Sequence, residues 1–300
     1  MPPDTAVVTA AFSRRMRLRL DSGEYVEARI KGKRLKPVCG DQVEAEPLER
    51  EADWLITAIR PRKNTLSRPN LSGQVEVLAA NIDLLVAVAA GAPAPDWYVI
   101  DRYLCAAELM PADALVVYNK VDMDLLAAKE QRELENYRQL GYAAVATSAT
   151  TGEGLDRLGA ELAGTTACVV GQSGVGKSTI INRLSSDASQ RTAEISEKRD
   201  EGRHTTVSSV MLPLAGGGAV IDSPGVRDYS PAIDDVRQVG RGFREIAAAA
   251  DGCRFANCRH LREPGCAVKL GVDRGTISAR RYESYRRLYV LTDKLGDKRR

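Results

Sequence analysis

Eight residues near the middle of this 300-residue chain carry its clearest chemistry. Gly171-Gln172-Ser173-Gly174-Val175-Gly176-Lys177-Ser178 fits GxxxxGK[ST], lies after the apolar run Ala167–Val170, and leads through Thr179 into the helical stretch TIINRLSS. That strand-loop-helix setting is the one the pattern requires. Gly171, Gly174 and Gly176 let successive backbone N–H groups curl around phosphate oxygens, with Gln172, Ser173, Val175 and Thr179 completing the loop. Lys177 is expected to reach the β and γ phosphates, and the Ser178 hydroxyl to coordinate Mg²⁺.

The base must be chosen elsewhere. Asn119-Lys120-Val121-Asp122 follows the apolar run ALVVY. It resembles the NKxD motif of the G proteins, whose Asp carboxylate accepts two hydrogen bonds from the guanine edge; adenine offers no matching pair of donors. Thr147-Ser148-Ala149, at the end of another apolar run, resembles their second base-contacting loop. Asp222-Ser223-Pro224-Gly225 resembles DxxG, in which the Asp holds Mg²⁺ through water and the Gly N–H senses the γ-phosphate. Between it and the phosphate loop, Gly202-Arg203-His204-Thr205-Thr206 resembles the switch segment whose Thr coordinates Mg²⁺, either Thr205 or Thr206 here. In ordinary G proteins the base-reading motifs come after the phosphate loop; here they come first, so the chain reads as circularly permuted. A site assembled from loops at one edge of a sheet survives such a cut.

Near the C-terminus, Cys253, Cys258, His260 and Cys266 place three thiols and one imidazole within one short stretch. They can close a tetrahedral Cys₃His zinc site with no position left for water, a structural metal. The rival reading is a set of free or redox-active thiols. Cys39, Cys105 and Cys168 are dispersed and read as small core residues.

The elements that must position these residues follow from patterning. Short alternating runs in the first 70 residues, RMRLRL, EYVEARI and DWLITAIR, predict a small β-barrel. Its arginines and lysines suit a nucleic-acid platform, or serve only to protect sheet edges. Residues 60–70 read as a linker. Continuous apolar runs at 82–90, 114–118, 143–147, 167–170 and 219–221, alternating with helical stretches, predict a parallel sheet covered on both faces. Beyond residue 230 the pattern turns helical: first 236–250, then a basic helix from Ile277 to Leu295. The latter carries a packing stripe of Tyr282, Tyr285, Leu288, Tyr289 and Thr292. The expected domains are 1–68, 69–230 and 231–300.

With 44% hydrophobic and 28% charged residues the chain can build packed cores. Its formal charge of +3 divides into +4 for residues 1–70, −8 for 71–229 and +7 for 230–300, so two basic ends could face a polyanion. No run of some 20 apolar residues and no signal-like start is present, so a soluble, cytoplasmic protein without a membrane partner is expected.

Taken in order, NKVD, GQSGVGKST, GRHTT, DSPG, the FREI segment at 243–246 and CRFANCRHLREPGC resemble the ribosome small subunit-dependent GTPase A family of bacteria over nearly the whole chain. DSPG has Ser where other members often have Thr. The resemblance implies an N-terminal oligonucleotide-binding (OB-like) barrel, a circularly permuted α/β P-loop GTPase and a C-terminal, mostly helical zinc-binding module. It also implies a monomer that binds GTP and GDP, hydrolyses GTP when stimulated by the small ribosomal subunit, contacts that subunit's rRNA and acts late in its maturation. Val226 stands where many small G proteins place a water-orienting glutamine; the resemblance implies that His204 takes over that role. Two other readings stay open: a P-loop kinase or ATPase with a coincidental NKVD, and an RNA-binding factor whose nucleotide site is structural.

Overall fold

Alternation in the first sixty residues does what period-two patterning dictates: Met16, Leu18 and Leu20 turn inward while Arg17 and Arg19 turn outward. A computed structural model describes residues 4–12, 15–32, 34–48, 53–70, 74–123, 127–186, 209–222 and 229–297. Strands β1 (Asp4–Ala11), β2 (Met16–Leu20), β3 (Tyr25–Ile30), β4 (Gln42–Pro47) and β5 (Trp54–Ile59) pair in the order β1-β2-β3-β5-β4, and β4 returns to β1. The ring closes around Ala6, Val8, Leu18, Ala28, Val43, Ala45 and Ile56, leaving no open edge. The alternating runs mark β2, β3 and β5. Strands β1 and β4, whose inward side chains are the small Ala6, Val8, Val43 and Ala45, complete the barrel without matching one of those runs. Outside, Arg17 and Glu27 are cross-strand partners joined at 2.9 Å.

The linker reading of residues 60–70 is corrected by the structure. Thr65–Pro69 is strand β6, which pairs antiparallel with β7 (Val75–Ala80) in a sheet of its own. Leu66 is fully buried, and Asn64 donates to Ile82 O at 2.7 Å and accepts from Ile82 N at 2.8 Å. Polar content hid a strand whose one apolar side chain decides its packing.

The second sheet comprises β8 (Leu84–Ala90), β9 (Asp113–Asn119), β10 (Ala143–Thr147), β11 (Thr166–Gly171), β12 (Val210–Pro213) and β13 (Ala219–Asp222), in the order β10-β9-β8-β11-β13-β12. All are parallel except β12, which runs against β13. Every residue of β8 is buried, as both-face coverage demands. On one face Leu85, Ala87 and Ala89 meet α1 (Trp97–Leu109) and α2 (Ala128–Gln139). On the other, Val86 and Val88 meet α3 (Leu155–Leu162) and α4 (Lys177–Leu184). The barrel and this sheet are continuous through one bridge, Ala10 of β1 opposite Val210 of β12.

The expected single helical stretch at 236–250 is broken. Val236–Gly242 is a 3₁₀ helix, Phe243 is extended, and α5 spans Arg244–Ala250. At the break Gly242 lies close against α1, where a Cβ would run into the Cys105 side chain. α6 (Ala267–Asp273) and the long α7 (Ala279–Asp297) follow, and Tyr285, Leu288, Tyr289 and Thr292 of the stripe are buried.

A buried ionic cluster fastens α7 to the central domain. Asp101 of α1 accepts from Arg280 Nη1 and Arg281 Nη1, both at 2.6 Å, from Tyr137 Oη at 2.7 Å and from Ser284 Oγ at 2.5 Å. Arg281, also fully buried, donates from Nη2 to Glu245 at 3.0 Å, and Arg280 Nε reaches Glu133 at 2.7 Å. Burial pushes the Asp101 carboxyl up, but the two guanidiniums and the hydrogen bonds from Ser284 and Tyr137 outweigh it and hold the group below the usual carboxylate range.

Candidate functional site

The parallel strands bring the sequence-predicted loops to one edge. β9 ends at Asn119, β10 at Thr147, β11 at Gly171 and β13 at Asp222. The registers align these ends: Asn119 lies opposite Ala90 and Thr147, Gly171 opposite Val88, and Asp222 opposite Val169. Chain order is irrelevant to this edge, so starting at β8 preserves it.

Asn119 knits three loops together. Its amide Nδ2 donates to Val175 O at 2.9 Å, and its Oδ1 accepts from Thr147 Oγ1 and Ala149 N, both at 3.1 Å. Lys120 adopts φ 67°, a conformation a non-glycine residue holds only where its surroundings enforce it. From there its Nζ donates to Ala92 O at 2.7 Å and Gly174 O at 2.6 Å. Val121 and Asp122 begin a 3₁₀ turn, with Asp122 exposed. Ser148 is buried; its backbone N donates to Glu153 O at 2.9 Å, and its Oγ accepts from Thr151 N at 3.0 Å.

The phosphate-type loop is shaped by its glycines. Gly176 sits at φ 95°, and a Cβ there would meet Asn119 Nδ2; Gly171 sits at φ 139° against the backbone of Val88. Lys177 Nζ donates to Gly171 O at 3.0 Å and Gln172 O at 2.7 Å, which points its charge into the loop's mouth. Ser173, Ser178 and Thr179 are exposed, and Val175 is buried beneath. α4 begins at Lys177, so its unpaired N–H groups and positive dipole end face the same mouth. His204, Thr205, Thr206 and Gly225 lie outside the described residues.

Sequence reasoning passed over the loop after β8. Asp96 caps α1, its side chain accepting from Tyr98 N and Val99 N, while its own backbone N donates to Gln172 Oε1 at 3.0 Å. The loop therefore braces the phosphate-type loop from outside. The Gly91, Pro93, Pro95 and Asp96 that end the apolar run were the available signal.

Cys253, Cys258, His260 and Cys266 converge, with all four candidate ligand atoms within 4.8 Å of one another. His260 Nδ1 is 3.5 Å from both Cys253 Sγ and Cys266 Sγ, and those sulfurs are 3.9 Å apart. Tetrahedral zinc, with Zn–S about 2.3 Å and Zn–N about 2.0–2.1 Å, requires S···N edges of roughly 3.5 Å and S···S edges of roughly 3.8 Å. Burial, reinforced by the neighbouring sulfurs, pushes the Cys258 thiol up to about 12. Burial lowers the His260 imidazole, which favours the neutral form that binds metal. The supporting shell was not legible: Tyr282 Oη donates to His260 O and Tyr285 Oη to Arg259 O, both at 2.6 Å. The Glu263 carboxylate accepts from the backbone N of Arg259, Leu261 and Arg262 at 2.9–3.1 Å. The stripe on α7 is thus both core and clamp.

Among the described residues no helix is long and apolar enough to cross a membrane. The chain is 37% identical over 289 residues to the small ribosomal subunit biogenesis GTPase RsgA of Haemophilus influenzae, covering 94% of this chain and 83% of that protein. It is 40% identical over 247 residues to the protein of the same name from Actinobacillus succinogenes, covering 82% and 71%. The crystal structure of YjeQ from Thermotoga maritima superposes with a TM-score of 0.74 at 29% identity, over 96% of this chain and 98% of that one. YloQ, a circularly permuted GTPase, shares the fold, with a TM-score of 0.72 at 23% identity over 97% and 96%. A sequence model described as RsgA GTPase matches residues 59–231, more than half of the chain, so this protein belongs to the RsgA GTPase family of GTP hydrolases.

Proposed function

We propose that the chain hydrolyses GTP under stimulation by the small ribosomal subunit and acts late in that subunit's maturation, contacting its rRNA. The observation that carries the nucleotide part is the direct bonding of two sequence-distant loops, Asn119 to Val175 O and Lys120 to Gly174 O. A base held by Asp122 and the 147–149 loop would then sit at a fixed distance from phosphates held by residues 171–179. Exposure of Asp122 leaves its carboxylate open to two guanine donors. Lys177 and the N–H groups of Gly174 to Ser178 would carry the charge that develops on the phosphates. Ser178, Asp222 and either Thr205 or Thr206 would hold Mg²⁺, which neutralises phosphate charge when bound. His204 would orient the attacking water, and Gly225 would sense the γ-phosphate. Cys253, Cys258, His260 and Cys266 would hold one structural zinc ion, which their donor set and spacing suit. The partner assignment draws on the names of the RsgA relatives and on the basic ends of the chain.

The test is phosphate release from GTP and from ATP, each with and without small ribosomal subunits. Turnover of GTP alone, raised strongly by the subunits, is expected. Equal rates without subunits would overturn the partner, and a preference for ATP would overturn the base assignment. His204→Ala should keep GTP binding and lose most of the stimulated turnover.

A further inference from the structure

Two buried tyrosines, Tyr103 of α1 and Tyr229, meet beside the phosphate-type loop without a part in the chemistry proposed there. Tyr103 has no exposed surface, and Tyr229 is 1% exposed. Their rings stack with centroids 4.6 Å apart and planes inclined by 12°. An aromatic pair in a core is ordinary, but the polar partners of this one are not. The Tyr103 hydroxyl takes a hydrogen bond from the backbone of Gly171, the first residue of the phosphate-type loop. Tyr229 is the first described residue after Asp222, so these two flank residues 223–228, which hold the rest of DSPG.

Both rings are fixed from several sides. Tyr229 Oη donates to Ser67 O of β6 at 3.2 Å, and its carbonyl accepts from Arg102 Nη1 at 3.3 Å. Ala232 N donates to the same Ser67 O. α1 is itself anchored at two points. Asp96 at its start is bonded to Gln172, and Asp101, two residues before Tyr103, sits in the ionic cluster with Arg280 and Arg281. Burial pushes both phenols up, so both rings stay uncharged at neutral pH.

The sheet leaves a gap that such a brace can close. Among the described residues, β11 and β13 pair only as far as Val169 opposite Asp222. Beyond that pair the ladder no longer sets the distance between the phosphate-type loop and the segment after Asp222. Phosphoryl transfer needs both at a fixed separation, since misplacement by about 1 Å can cost about 100-fold in rate. Tyr103 spans this gap, bonded to one side and stacked on the other. We propose that Tyr103 is a positioning residue for GTP hydrolysis, holding Gly171 through its hydroxyl and the exit of the DSPG segment through the Tyr229 ring. The proposal deepens the reading of residues 171–179 and 222–225 as phosphate-handling segments and rests on it. The two contacts have separable effects: the hydroxyl steadies a loop that GTP and GDP share, whereas the stack steadies a segment that the γ-phosphate alone meets.

The experiment measures kcat and KM for GTP, and GDP affinity by calorimetry, on the full chain. Tyr229→Leu removes the stack, leaves the Gly171 bond, and should lower kcat about 10- to 100-fold with GDP affinity unchanged. Tyr229→Phe, which keeps the ring, should restore kcat. Tyr103→Leu should lose kcat to the same degree and also bind both nucleotides more weakly. Tyr103→Phe should recover kcat and keep only the weaker binding, by up to about tenfold for GTP and GDP alike. In the Tyr103→Leu, Tyr229→Leu double variant kcat should fall no further than in Tyr229→Leu, because one contact is lost only once. Leu158→Ala, fully buried in α3 on the opposite face, is the structural control: it should lower the denaturation midpoint and keep wild-type kcat. Wild-type kcat in Tyr229→Leu, additive losses in the double variant, wild-type nucleotide affinity in Tyr103→Phe, or an equal loss of kcat in Leu158→Ala would overturn the proposal. Lys177→Ala tests the underlying reading separately: undiminished affinity for GTP and GDP there would overturn the phosphate-loop assignment itself, whatever the tyrosine variants show.

Discussion

Two regions of the molecule gather polar groups from distant parts of the chain, and they do so in opposite ways. At the edge of the parallel sheet, Ser173, Ser178, Thr179 and Asp122 stay exposed, and the loops are fastened by bonds to backbone carbonyls. At the junction of α1, α2, α5 and α7, Asp101 and Arg281 have no exposed surface, and each group there is matched by a partner of opposite charge or by a hydrogen bond. The first region must keep donors free for a ligand that arrives and leaves. The second must hold one arrangement, and burial makes any other arrangement costly, because an unpaired charge would be left out of water.

The contrast can be broken most severely at the Cys253, Cys258, His260 and Cys266 cluster, which stands at the rigid extreme. Chelation of the proposed zinc, or Cys266→Ser, should remove a binding free energy that in structural zinc sites runs to about 10–16 kcal/mol. The tyrosines of α7 that clamp this loop should then lose hydrogen-exchange protection, while the barrel keeps its own.

Asp101→Ala comes next. It strands Arg281 without a carboxylate on one side, and the expected loss is about 3–5 kcal/mol in denaturant unfolding. An unchanged midpoint would mean that the cluster does not fasten α7. At the open edge, Asn119→Ala removes three hydrogen bonds and should cost about 1–3 kcal/mol, together with a fall in GDP affinity measured by calorimetry.

The smallest effect sharpens the comparison by pH. Because the Asp101 carboxyl is held below its ordinary value, its contribution is complete above about pH 3.9 and is lost as pH falls through the folded value. Wild type should therefore lose more stability between about pH 5 and pH 3 than Asp101→Asn does. Equal losses would place the acid sensitivity in other carboxylates.

The open region was legible because its geometry is local. A loop that must wrap phosphate needs glycines at left-handed positions and a Lys-Ser pair at a helix start, all within eight residues, so GQSGVGKS carries its own structure. NKVD and DSPG are equally compact, and their order shows the permutation. The Cys/His cluster was legible for the same reason. The rigid region was not. Asp101 and Arg281 lie 180 positions apart, and in sequence each is an ordinary charge on a helix. The linker reading of 60–70 failed similarly, since one buried Leu66 outweighs the polar residues around it. The Asp96 brace on Gln172 depends on a contact across 76 positions.

What the sequence determined by itself is what short segments can carry alone: the compact glycine-rich and NKVD loops, the Cys/His cluster, strand periodicity and the order of the barrel, the permuted α/β sheet and the helical module. Tertiary structure decided which loops touch and which charges are buried. Those outcomes depend on long-range packing, in which a side chain's energy is set by neighbours that no local pattern names.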